Sequence, residues 1–106
     1  MNERQYQNLL ITMLQRMFPE AFIMKTDPRD TQGLPDILIL YRDRWAMLEV
    51  KLAGNSAIQP NQAHYVDKFN NMSFASFINP ENEEEVISEL QRSLRLGRAS
   101  RIPQPQ

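Results

Sequence analysis

The chain has 106 residues, 42% hydrophobic and 24% charged, the length and balance of one globular domain with a modest core. It has no cysteine, which excludes a disulfide framework and a thiolate metal site. It also has no apolar run of membrane-spanning length and no signal-peptide pattern. We therefore expect no membrane partner and a cytoplasmic location, in a bacterium or a phage-infected host cell.

Residues 2–18 are predicted to form a helix. Asn2 with Gln5 matches a capping-box pattern. Tyr6, Leu9, Leu10, Met13, Leu14, Met17 and Phe18 recur at helical spacing as one apolar stripe, and Pro19 stops the run. Glu3 lies three residues before Tyr6 and continues the stripe. As a first-turn carboxylate it also suits the helix dipole. Residues 21–25 are a short strand, and residues 26–35 a loop rich in turn formers. Arg29 on this loop is a candidate phosphate contact. Asp27 and Asp30 are either additional metal acids or solvated loop charges.

Residues 33–51, Gly-Leu-Pro-Asp-Ile-Leu-Ile-Leu-Tyr-Arg-Asp-Arg-Trp-Ala-Met-Leu-Glu-Val-Lys, read as two apolar strands and a short turn. Asp36 opens the first strand; Glu49 and Lys51 end the second. Side chains alternate along a strand, so Glu49 and Lys51 share one face and Ala46, Leu48 and Val50 the other. A turn at Arg42–Asp43 sets Asp36 opposite Glu49. A turn at Asp43–Arg44 sets it opposite Lys51. Either register clusters the two acids with the lysine. A three-residue turn would put Asp36 on the wrong face without a bulge. With no Gly or Asn in the turn, its chemistry does not choose.

Two carboxylates and an ammonium on one face suit a hard divalent cation, Mg²⁺ with Mn²⁺ as a substitute. The lysine can orient a water and offset charge developing on a phosphate. A plain cross-strand salt bridge is the alternative reading.

Residues 52–58 form a loop. Gln59 precedes Pro60, a residue suited to the first helical position, and a helix follows to about residue 71. Gln62, Tyr65, Val66 and Phe69 make its inner stripe. Residues 73–78 are a buried strand and residues 81–96 a last helix, acidic at its start and basic at its end, with Gly97 as cap. Residues 92–106 carry four arginines and no acid. Arg98 and Arg101, on a flexible basic and proline-rich tail of residues 98–106, are candidate DNA contacts. His64 is the one histidine and is left out of the site.

Pro35-Asp36 followed by Glu49-Val50-Lys51 resembles the PD-(D/E)XK nuclease signature. The Gly33-Leu34-Pro35-Asp36 form with Gln62 downstream is most similar to VRR-NUC-type nucleases and to phage and archaeal Holliday-junction resolvases. The resemblance spans about residues 3–78. It implies that Asp36 and Glu49 hold the metal with the Val50 carbonyl, and that Lys51 positions the attacking water. It further implies that Glu3 adds an outer carboxylate and that Gln62 supports the site, with Gln59 as a weaker DNA contact.

The expected fold is α/β: a small mixed sheet flanked by helices in the order αβββαβα, a restriction-endonuclease-like core filling residues 1–97 as a single domain. The expected activity is Mg²⁺-dependent DNA endonuclease, structure-selective like a junction resolvase. The alternatives are a non-catalytic nucleic-acid-binding or assembly module, or a nuclease for flap or linear DNA in phage replication or packaging. A homodimer is expected, on the ground that a core of this size leaves Met13, Met17, Trp45 and Met47 uncovered.

Overall fold

A computed structural model describes residues 1–95 of the chain. Gly97, Arg98, Arg101 and the rest of the expected tail lie outside the described residues.

Helix α1 spans Glu3–Met17. Asn2 caps it: the Gln5 N–H donates to Asn2 Oδ1 at 2.8 Å, and the Asn2 N–H donates to Gln5 Oε1 at 2.8 Å. Two amides with no helical partner are thereby satisfied, a device worth about 1 kcal/mol. Tyr6, Leu10, Leu14 and Phe18 are buried, at a spacing of four that keeps one narrow stripe against the sheet. Leu9, expected in that stripe, is instead 57% exposed. It sits one residue off the spacing of four that the buried residues keep.

The sheet has strands β1 (Phe22–Lys25), β2 (Ile37–Tyr41), β3 (Arg44–Val50) and β4 (Phe74–Ile78), in the order β1-β2-β3-β4. β1, β2 and β3 form an antiparallel meander. β4 lies parallel to β3, reached by the crossover helix α2 (Pro60–Met72). This is the mixed α/β topology expected. Tyr41 pairs with Arg44 and Ile37 with Leu48, which selects the two-residue turn at Arg42–Asp43. Arg42 carries a positive φ of 56°, so an arginine holds a place that hairpins usually give to Gly, Asn or Asp.

Two cores flank the sheet. Ile37, Ile39, Ala46, Leu48, Val50 and Ile78 pack against α1 and helix α3 (Glu83–Arg95). On the other face Met47 and Ala75 pack with Val66 of α2, flanked by Leu38, Trp45, Phe69 and Phe77. Alternation along β3 therefore splits its side chains as the pattern required. Of the residues expected to be left for a dimer, Met47 needs correction: it is buried. Met13, Met17 and Trp45 pack partly against the two cores of the same chain and remain partly exposed. Helix α3 begins later than expected and leaves Glu81 outside. Asn79 Oδ1 accepts from the N–H groups of Glu81 and Asn82, while Asn82 Oδ1 accepts from the Asn79 N–H. This reciprocal turn occupies the residues where a helix would have started.

Candidate active site

The site lies where β2 begins and β3 ends, on the face that α2 covers. Ile37 pairs with Leu48, so one step outward Asp36 stands opposite Glu49. Three contacts set the entry to β2. The Thr26 N–H donates to Asp36 O at 2.9 Å, and Thr26 Oγ1 donates to Pro35 O at 2.7 Å. Gly33 takes φ 89° and lies so close to α2 that a Cβ there would sit 2.7–2.9 Å from Asn61 atoms, backbone included. Only glycine tolerates both conditions. The loop is thus seated on the first turn of α2, and Asp36 is delivered beside it. Thr26 and Asn61 give no signal in the sequence, because a lone Thr or Asn carries no motif.

Asp36 reaches across the strand pair: its Oδ2 accepts the Val50 N–H at 2.8 Å. Glu49 is 2% exposed and Lys51 9%, among the few buried charged side chains. The Lys51 N–H continues the sheet by donating to Ile78 O at 2.9 Å. Its ammonium donates to Gln62 Oε1 at 3.0 Å and lies 3.9 Å from Glu49 Oε2. Gln62 Oε1 also accepts the Gln59 N–H at 2.9 Å, and Gln62 Nε2 donates to Glu49 Oε2 at 3.3 Å. One amide therefore caps α2 and joins the buried lysine to the buried acid.

Burial above all, then the charge and hydrogen bond of Asp36, push the Glu49 carboxyl up to about 8. Glu3 adds a smaller push, and Lys51 acts in the opposite sense. Removal from water and a like-charged neighbour both disfavour the ionised carboxylate. The site thus holds more negative charge than one lysine relieves, which is the condition a divalent cation corrects.

Asp36, Glu49, Lys51 and Gln62 are brought together. Glu3 is exposed on the first turn of α1 and acts on Glu49 at electrostatic range. Among the described residues no group of three or more His, Cys, Asp or Glu is close enough together to hold a metal ion, so Glu3 does not close a three-carboxylate cluster. Gln59 enters through its backbone, as the cap of α2. Arg29 is exposed and gripped by Asp27, with Arg29 Nη2 2.8 Å from Asp27 Oδ2. Those hydrogen bonds hold the Asp27 carboxyl below its usual range, and Asp27 is committed to the loop. His64 is exposed beside Tyr65.

No protein-family pattern and no curated protein matches the chain. Among solved structures it is similar to one described as a VRR_NUC domain protein, with a TM-score of 0.66 and 19% identity over 92% of this chain and 91% of that one. The likeness is one of fold. It extends over nearly the whole chain.

Proposed function

We propose that the chain is a metal-dependent endonuclease that hydrolyses phosphodiester bonds of DNA, selective for branched or otherwise distorted structure. One observation carries the reading. Glu49, Asp36 and Lys51 converge at the end of the central strands, with Glu49 buried and driven toward its neutral form. A fold alone could be built with apolar residues here; a buried acid with a second, half-buried acid and a lysine beside it is costly without a task. The fold likeness to a VRR_NUC domain protein supports the same reading.

The residues fit Mg²⁺ or Mn²⁺. The donors are hard oxygens, and Mg²⁺ is commonly held by one or two carboxylates with water completing its shell. Asp36, Glu49 and the Val50 carbonyl would hold the ion, with Glu3 as an outer carboxylate. A bound cation would supply neutralisation of the acid pair and polarisation of a phosphate oxygen. Lys51 presents its ammonium beside the acids, where it hydrogen-bonds an attacking water and offsets charge developing on the phosphate. Gln62 aims that ammonium. Arg29, Gln59, Arg98 and Arg101 remain the proposed DNA contacts. Two symmetric cuts in a junction would call for a twofold dimer.

A second reading follows from the two-carboxylate count among the described residues: a nucleic-acid-binding module that keeps the fold without catalysis. One assay separates them. Purified protein with Mg²⁺ or Mn²⁺ is offered a four-way junction, a flap, a nicked duplex and a plain duplex. Metal-dependent cleavage that disappears in Asp36→Asn supports the nuclease. Binding without cleavage of any substrate overturns it in favour of the module.

A further inference from the structure

The end of the molecule remote from the acids is organised by an aromatic pair. Phe18, at the end of α1, meets Tyr41, the last residue of β2, edge to face with ring centroids 5.3 Å apart. Each ring carries an arginine. The Arg42 guanidinium lies 5.2 Å from the Tyr41 ring centre, and that of Arg95 lies 5.9 Å from the Phe18 ring centre. Arg16, exposed in the last turn of α1, belongs to the same end. The termini of α1 and α3 and the β2–β3 turn thus gather positive charge at one pole. Glu20 and Asp43 stand against it, with Arg44 half-buried alongside.

Arg42 is the informative residue. Its φ of 56° is strained for any side chain with a Cβ, and glycine would sit there freely. Its side chain is nevertheless 64% exposed, paired with an equally exposed Glu20 at 3.4 Å. An exposed pair of that kind contributes little, and the contact with the Tyr41 ring adds only about 0.5–1 kcal/mol at an exposed site, so the fold gains modestly from arginine at this position. Strain retained for so modest a structural return points to a task. Guanidinium groups resting on rings are partly pre-ordered and match phosphate oxygens.

We propose that Arg42, Arg95 and Arg16 form a second contact for the phosphate backbone of duplex DNA, holding an arm of the substrate away from the cut. The proposal rests on the nucleic-acid reading of the site. The length of β2 separates Asp36 from Arg42, about 20 Å at roughly 3.3 Å per residue. That span corresponds to about six base pairs at roughly 3.4 Å of rise. The contacts carry no base-reading geometry and are indifferent to sequence.

The test uses the full chain with Ca²⁺ replacing Mg²⁺, so that labelled four-way junctions with arms of about twelve or about four base pairs stay intact. Fluorescence anisotropy gives affinity across a salt series. Arg42→Gly should melt no lower than wild type, while its salt slope becomes shallower by about 0.9 for each phosphate no longer neutralised. Arg16→Gln/Arg42→Gly/Arg95→Gln should flatten it further and lose sensitivity to arm length, and wild type should bind the short-armed junction as the triple variant binds the long-armed one. Unchanged affinity and slope in the triple variant overturn the proposal, as does a wild type that binds no duplex. Cleavage by wild type in Mg²⁺ is scored separately. A wild type that cuts, beside a triple variant that binds normally, removes this second anchor and leaves the nuclease standing.

Discussion

The Lys51 ammonium is bonded to Gln62 Oε1 at 3.0 Å and stands off the buried Glu49 carboxylate at 3.9 Å. Gln62 therefore keeps the lysine from collapsing into a tight ion pair with an acid that a metal would need. In Gln62→Leu the ammonium is expected to swing onto Glu49. Mn²⁺ affinity, measured by calorimetry, should fall about 10- to 100-fold, the range typical for losing a group that orients a ligand. If affinity is unchanged while the melting temperature falls, Gln62 is no more than a cap for α2.

Glu49 gives the stability a definite pH dependence. Its carboxyl is raised from the ordinary 4.5 to about 8. Below 4.5 it is protonated in both folded and unfolded chains and contributes nothing. Between those values the folded chain retains a proton that the unfolded chain releases, so stability declines as pH rises. Above 8 the penalty is complete. At about 1.4 kcal/mol per pH unit the total is on the order of a few kcal/mol. Metal-free protein should lose stability to urea between about pH 5 and 8, and Glu49→Gln should abolish that slope.

The same linkage predicts proton release on metal binding, because a bound cation favours the ionised carboxylate. Mn²⁺ affinity should rise with pH up to about 8 and level off above it. Titrations in buffers of different ionisation enthalpy count the protons. No proton release at about pH 7, below the raised value, would mean that Glu49 is not a ligand.

Lys51 is expected to serve chemistry more than binding. Lys51→Ala should lower single-turnover cleavage by at least about 100-fold, a range seen for positioned acid–base groups, with little change in junction affinity. Normal single-turnover rates with weakened affinity would recast it as a phosphate clamp.

Gly33→Ala tests how Asp36 is placed. The added Cβ would meet Asn61 at 2.7–2.9 Å in a backbone of φ 89°, a strain of roughly 1–3 kcal/mol. The melting temperature should fall and cleavage with it, since relief requires the loop to lift from α2. Wild-type stability in Gly33→Ala would show that the loop yields easily and is not what fixes Asp36.

The element order and the face shared by Asp36, Glu49 and Lys51 are legible in the sequence, because strand alternation and helical spacing are local properties. The register is not. Tyr41-Arg42-Asp43-Arg44 has no Gly or Asn to announce a turn, and Arg42 occupies the left-handed position against its own preference. Periodicity puts Gln62 near the site without describing its role, since its three partners come from β3, its end and the cap of α2. Of the residues expected to be left for a dimer, Met47 is covered and Met13, Met17 and Trp45 only partly, because composition cannot tell how much of each its neighbours cover. The Asn79–Asn82 turn escapes the sequence because an Asn-Pro break looks the same whether or not a second asparagine closes it.

The backbone of Lys51 is fastened by Ile78 O, on a strand that enters the sheet only after the α2 crossover. During synthesis both acids, the lysine and Gln62 emerge early, yet the Lys51 backbone has no strand to bond until β4 has left the ribosome and docked. A nascent chain ending before residue 74 should accordingly be inert toward the DNA or message around it, which cleavage assays on stalled ribosome complexes can check. Completion of the sheet would then act as the chain's own release from a harmless to an active form, timed by translation.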